Sequence, residues 1–594
     1  MASPPCLRLC VLGLLLVLCG FPHRAAAEVT PLAVRDGHCE AVLPTVTEDT
    51  FYLVLGSLSP HAGPHRVTIR TEATAAPVAL PRPPAVRDER WAELVDDLAQ
   101  RQARARSQHP VAQQAPPIEP PRRKVFHLFT GDQDFQNTRQ YAAVHAELCA
   151  VGKHCQVYVD RDHKDRDGLQ ATVKDTIRTF DEGVYPKARE WLGRCLDVDG
   201  DGRFTILFTS LLSRLQGGKV SLGGCVRGSD FDRELAAPFS NRCDMMYLNT
   251  DLKPGPHLRT LITHEYTHAV VFSEHVFGEY LPMAARHDEE SWLNEALAHV
   301  VEDRHGHSWS NLDYRVSAFL NAPERYALVV PDYYGSGLWR TPGTRGSAYL
   351  FLRWCVDRCG DDLPARLVQS NLQGVLNLET AAQRPFAALF REWSVALLGG
   401  GGLALDGIMP LRRPDLRRPL ASRLLCGPRF DEVPLDRGRH EVQLAGTSVA
   451  YLLLHSPAGP RSRVTVAATP DSDLQVTLVR RPAGARLGLR CVREPDGKGV
   501  RLIVTAHGAG VKLDDVAWER LLPRGEPADT SYRPNAPAGQ AVRSWFGKPR
   551  LPAGESRHSQ VIDLPHGREA LIFKIAATDD AGNRVAAWAI LSGE

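Results

Sequence analysis

Apolar positions along this chain fall into distinct patterns. Residues 9–21 form one unbroken Leu/Val/Cys-rich run. Residues 51–55 and 66–70 are short β-rich runs, which predict strands. Across 81–123 the apolar signal fades and Pro, Arg, Gln and Ala dominate. Such a stretch buries little surface and reads as a linker, with one helix over roughly 88–107. From Lys124 the pattern sharpens again. Runs at 125–129, 155–159, 205–208 and 245–248 predict strands, and 139–150 and 172–191 predict helices. The chain then reads as mainly helical to about 398. Beyond Gly399–Gly402, runs at 442–444, 449–454, 463–467 and 474–478 are separated by Gly/Pro turns and predict sandwich strands.

A chain of 594 residues is too long for one core. The patterns divide it into 1–27, a signal peptide; 28–80, an N-terminal β region or prodomain; 81–123, the linker; 124–400, the mixed domain; 423–510, a β-sandwich; and 511–594, a second sandwich. The last of these has strands at 573–577 and 585–588 around the turn 579–583, and resembles the final hairpin of Ig-like accessory domains.

Composition excludes some partners. Hydrophobic residues make up 43% and charged residues 24%, with a formal net charge of +2. That balance calls for neither nucleic acid nor an anionic membrane. Arg8, the apolar run and the small residues Ala25, Ala26 and Ala27 form a secretory signal. The run is shorter than the ~20 residues a spanning helix needs. The expectation is a soluble monomer without membrane insertion, located outside the cell, in the periplasm or at the cell surface. Thirteen cysteines become ten once the signal is removed. An even number in an exported chain favours disulfides, with Cys149/Cys155, Cys225/Cys243 and Cys355/Cys359 as local candidates.

The strongest chemical signal is His264-Glu265-Tyr266-Thr267-His268. Two histidines four apart share one face of a helix, so both imidazoles can reach one ion. Glu265 then stands beside the ion, placed to accept a proton from water. Catalytic zinc takes three protein ligands and keeps one position open. A His ten positions beyond His264, preceded by a Gly, would complete a metzincin site, but Glu274 and Val271 occupy those positions. Glu295, in Trp292-Leu293-Asn294-Glu295-Ala296, lies 27 residues beyond His268 and leaves room for a loop and a returning helix.

This arrangement resembles the gluzincin metallopeptidases. Asp197-Val-Asp-Gly-Asp-Gly, Tyr247-Leu-Asn-Thr and Tyr349-Leu-Phe-Leu-Arg-Trp extend the resemblance to the hyicolysin-type neutral metallopeptidases, over about 124–400. It implies an α+β zincin-like catalytic domain with a mainly helical C-terminal lobe, flanked by the β regions. It implies zinc on His264, His268 and Glu295, with Glu265 as general base. The substrate would be a protein or peptide. An oxyanion donor would come from Tyr333, Tyr334 or Tyr349, with Tyr334 and Tyr349 carried forward as catalytic candidates and Arg345 behind them. Asn294 belongs to the helix start or to substrate contact. Glu302 is either a carboxylate supporting a zinc-bound His or an exposed acid on a solvated face. His299 shares the face of Glu295 without an assigned role.

Asp197, Asp199 and Asp201 before Gly202 match the start of a calcium loop, or form an acidic turn. Phe208 stands where the loop's final ligand would be. Two other functions remain open. One is an extracellular binding protein with a structural zinc domain, which the intact Glu265 disfavours. The other is an aminopeptidase, for which no G-x-M-E-N segment is present.

Overall fold

A computed structural model describes residues 27–44, 50–61, 63–83, 89–108, 117–131, 134–275, 287–338, 341–400, 405–421, 423–455, 461–481, 484–495, 499–520, 543–545, 547–563 and 570–592. The signal run at 9–21, with Ala25 and Ala26, lies outside them.

Six described strands make one mixed sheet: β1 (Arg123–Phe129), β2 (Tyr141–Val151), β3 (Cys155–Asp160), β4 (Phe204–Thr209), β5 (Gly224–Cys225) and β6 (Met245–Asn249). Their spatial order is β1-β2-β3-β4-β6-β5. β3, β4 and β6 run parallel, and every residue of the three is buried. That is the continuous apolar pattern of strands covered on both faces. β2 replaces the helix expected over 139–150. Ala143 and His145 are exposed while Val144 and Ala146 are buried, a period of two that an Ala-rich segment conceals.

Helices follow the sheet: α1 (Pro256–His275), α2 (Ser291–His305), α3 (Asp313–Asn321) and α4 (Pro342–Cys359). α2 packs against α1 and α4, and α3 against α4. Trp292, Trp354, Trp393 and Tyr266 anchor their shared core. Gly346 permits the α3–α4 approach, since a Cβ there would lie 2.1 Å from the carbonyl oxygen of Arg315. Among the described residues, no helix is long and apolar enough to cross a membrane.

The β regions are divided differently from the sequence-based expectation. The strands Glu28–Leu32 and Thr50–Ser57 share a sheet with Leu474–Arg481, Val449–His455 and Asp431–Pro434. His38–Leu43 and His65–Ala73 join Ser462–Ala468 and Arg437–Leu444 in the facing sheet. Residues 28–80 are therefore half of a sandwich completed more than 350 positions later, closed over one core of Leu53, Val67, Leu452 and Val476. The expected boundary at 510 also moves. The hairpin Arg486–Arg493 and Gly499–His507 buries Leu487, Leu502 and Val504 with Leu513, Trp518 and Phe573 of the last sandwich. The boundary therefore falls after the strand that ends at Arg481 and before the one that begins at Arg486.

This last sandwich docks on α3 through buried polar groups. Glu519 Oε1 accepts from Lys574 Nζ at 2.6 Å, Ser317 Oγ at 2.7 Å and Asn321 Nδ2 at 2.5 Å. Arg423 pairs with its other oxygen at 2.5 Å. No disulfide joins any of the ten described cysteines, so the expected bridges are absent among the described residues. Cys149 is exposed and Cys155 is buried. Cys355 and Cys359 lie one turn apart on α4. Cys243 instead meets Lys124 Nζ at 3.6 Å.

Candidate metal centre

α1 carries Ile262, Tyr266 and Val270 into the core. That fixes its rotation and turns His264 and His268 to the opposite side, toward α2. Their Nε2 atoms lie 3.1 Å apart. Glu295, in the second turn of α2, brings Oε2 to 3.5 Å from Nε2 of His264. A tetrahedral zinc with bonds of ~2.0–2.1 Å to nitrogen sets ligand atoms about 3.3 Å apart, so these three groups fit one ion. The buried Oε2 of Glu295 makes no hydrogen bond, which leaves it open for such an ion.

The outward nitrogens are held. Asn294 Oδ1 lies 2.8 Å from His268 Nδ1. Glu302 Oε1 lies 2.5 Å from His264 Nδ1. Both contacts place a proton on Nδ1. At His268 this leaves the Nε2 lone pair facing the centre. At His264, Glu302 and Glu295 outweigh burial and raise the imidazole to about 10, so a metal would displace its Nε2 proton. Glu302 is only 1% exposed, which removes the solvated-acid reading. The same Oε1 also meets His299 Nδ1 at 3.1 Å and Asn311 Nδ2 at 2.6 Å. Arg345, from α4, donates to Glu295 Oε1 at 2.7 Å, leaving Oε2 for the centre.

Burial and charge oppose one another here. Burial pushes the Glu302 carboxyl up, but His299 and His264 outweigh it and hold it well below the usual range. Burial likewise raises Glu295, and Arg345 overturns it, so that this carboxyl stays ionised. Burial, with His264 beside it, lowers His268 to about 4, leaving it neutral as a ligand must be. At Glu265 burial, joined by Glu295 and Glu302, outweighs the opposing His264 and Arg345. Burial drives it up to about 7, the range of a proton acceptor working near neutral pH. β5 presses close to it: a Cβ on Gly224 would lie 3.1 Å from Glu265 Cγ and 3.2 Å from the Tyr247 carbonyl oxygen.

These groups open into a cavity of about 460 Å³ that also reaches Tyr333, Tyr334 and Arg345. Leu212, Leu215, Val220, Leu222 and Phe272 give it an apolar wall. The tyrosines separate clearly. Tyr334 lines the rim and is 53% exposed. Tyr349 lies in the core beside Trp309, at 6.4 Å between ring centres, and the cavity lining does not include it. Tyr333 is 2% exposed, and its buried hydroxyl makes no hydrogen bond. Its neighbour in sequence, Tyr334, was the expected candidate, and only the turn after Pro331 decides which ring faces in.

The three carboxylates expected for calcium do not come together. Asp201 turns away to Gln156 Nε2 at 2.6 Å and Arg203 N at 2.8 Å. Asp197 and Asp199 instead group with Asp244, and Lys124 Nζ sits 3.0 Å from Asp199. An ammonium supplies the positive charge there. Asn311 carries no sequence signal, since it lies in a loop without periodicity. His299 was legible by its spacing from Glu295, and its contact with Glu302 was not.

No family model matches the sequence. Over 186 residues the chain is 26% identical to the neutral metalloprotease ShpI of Staphylococcus hyicus. The match covers 30% of this chain and 39% of that protein, about two-fifths of the relative's length. Among solved structures, an aminopeptidase A of Legionella pneumophila, in complex with aspartic acid, aligns with a TM-score of 0.24 and 9% identity, over 76% of this chain and 37% of that one. A GH2 β-galacturonidase of Eisenbergiella tayi aligns with a TM-score of 0.13 and 11% identity, over 26% of this chain and 30% of that one.

Proposed function

We propose that this chain is an exported zinc-dependent endopeptidase of gluzincin type, acting on protein or peptide substrates. The observation that supports this most is the convergence of His264, His268 and Glu295 beside a buried Glu265 in one open cavity. The partial similarity to a metalloprotease agrees with it. Zinc held by those three residues would polarise a scissile carbonyl and acidify a water.

Every other role belongs to the chain. Glu265 takes the proton of the attacking water and returns it to the leaving amine. Its burial raises its proton affinity, so it can hold that proton between the two events. The Tyr333 hydroxyl, buried and without a partner, donates to the oxygen on which charge develops. Arg345 fixes the orientation of Glu295. Asn294 and Glu302 fix the two imidazoles.

Blocked internal peptides and peptides with free N-termini, each offered to the purified chain, test the endopeptidase assignment. Cleavage of blocked peptides supports it. Release of N-terminal residues alone would make the chain an aminopeptidase, and zinc binding without any cleavage would make it a binding protein.

A further inference from the structure

The cavity does not end at the metal centre. Phe129, at the end of β1, and Phe135, in the turn that follows, line its wall. Two further rings adjoin them. Phe135 and Phe129 are 4.6 Å apart between ring centres, Phe129 and Tyr141 5.2 Å, and Tyr141 and Phe239 5.5 Å. Phe129 and Tyr141 face each other across β1 and β2.

The rings are held from behind. Tyr141 donates its hydroxyl hydrogen to the Phe135 carbonyl at 2.9 Å. Arg227 lies 5.3 Å from the Tyr141 ring centre, donates to the Phe239 carbonyl at 2.9 Å, and itself lines the cavity. Phe135 is nonetheless 54% exposed, and Phe129, Tyr141 and Phe239 are half-buried. An aromatic cluster serving only as core would hide its rings. Here the exposed face of Phe135 and the half-buried Phe129 stand in the cavity wall, where side chains of a bound strand can meet them.

We propose that Phe135, Phe129, Tyr141 and Phe239 form an extended subsite for apolar and aromatic side chains of the polypeptide, beyond the residues next to the scissile bond. This rests on the peptidase reading and on the continuity of the rings with the cavity. The ligand class is an extended, locally unfolded chain. Ring-on-ring contact adds to area burial for each aromatic residue it accepts.

The test uses the full chain carrying Glu265→Gln, with fluorescent blocked peptides bearing either several phenylalanines or several serines on each side of one core. The expected result is binding on the order of tenfold tighter for the phenylalanine peptide. That difference should collapse when Phe239→Ala or Phe135→Ala is added, with the thermal midpoint held. Equal affinity for both peptides, or a preference that survives both substitutions, overturns the subsite. Turnover by the wild-type chain is read separately: a ring-dependent preference in binding without any cleavage keeps the subsite and sinks the peptidase reading.

Discussion

Nδ1 of His264 lies 2.5 Å from Oε1 of Glu302, and that single oxygen also meets Asn311 and His299. One buried carboxylate therefore sets the orientation of a candidate ligand while satisfying two further polar groups from α2 and the loop before α3. Such outer contacts are worth about 10–100-fold in metal affinity. Glu302→Ala is expected to weaken zinc binding by that factor in a chelator competition. Unchanged affinity would show that His264 needs no such support.

Gly224→Ala probes the general base without touching a ligand. The added methyl would press on Glu265 Cγ and on the fixed Tyr247 carbonyl. The contact asks Glu265 to give by a few tenths of an ångström, a fraction of the ~1 Å misplacement that costs about a hundredfold. The expected outcome is a kcat lower by severalfold, up to roughly tenfold, with zinc content retained. Full turnover in this variant would place Glu265 out of reach of β5.

Two tyrosine substitutions separate Tyr333, the proposed donor, from Tyr349. Tyr333→Phe is expected to lower kcat by about 10²–10³, the usual effect of losing one oxyanion donor. Tyr349→Phe removes a hydroxyl outside the cavity lining and leaves kcat at the wild-type level. Steady-state kinetics on one blocked peptide compares them. The reverse pattern would return the role to α4.

The Glu519–Lys574 pair should control the docking of the last sandwich. Removing one partner of a buried pair costs about 3–5 kcal/mol, so Lys574→Met is expected to destabilise the chain by that much in denaturant unfolding. Burial raises Glu519, but Lys574 and Arg423 outweigh it and hold the carboxyl down to about 2. An unfolded Glu titrates near ~4.3. A depressed carboxyl stabilises fully above that value, and the contribution is lost as pH falls toward about 2. The unfolding midpoint should therefore drop between these pH values, and Glu519→Gln should flatten that part of the slope. An unaltered slope would assign the acid response elsewhere.

The site was more legible than the fold. His264, Glu265 and His268 are fixed by helical periodicity, which is local and visible in a single sequence. Glu295 followed from the need for a third ligand within reach of a returning helix. Tyr333 and Asn311 depend on turns, and no spacing rule distinguishes Tyr333 from Tyr334. In the fold, β2 was hidden because alanine suits a helix, and only its neighbours β1 and β3 make it a strand. The interleaved sandwich was hidden for a different reason. Pairing of Thr50–Ser57 with Leu474–Arg481 is set by tertiary packing across the whole chain, and each strand alone carries the same alternating pattern whichever partner it meets.

The most direct measurement is zinc content and blocked-peptide hydrolysis for the wild-type chain beside Glu265→Gln. The expected result is about one zinc in both, as a three-ligand catalytic site holds, with hydrolysis in the wild type falling by at least ~10² in the variant. Equal hydrolysis in the two proteins, or a wild-type chain that binds no zinc, would contradict the proposed site.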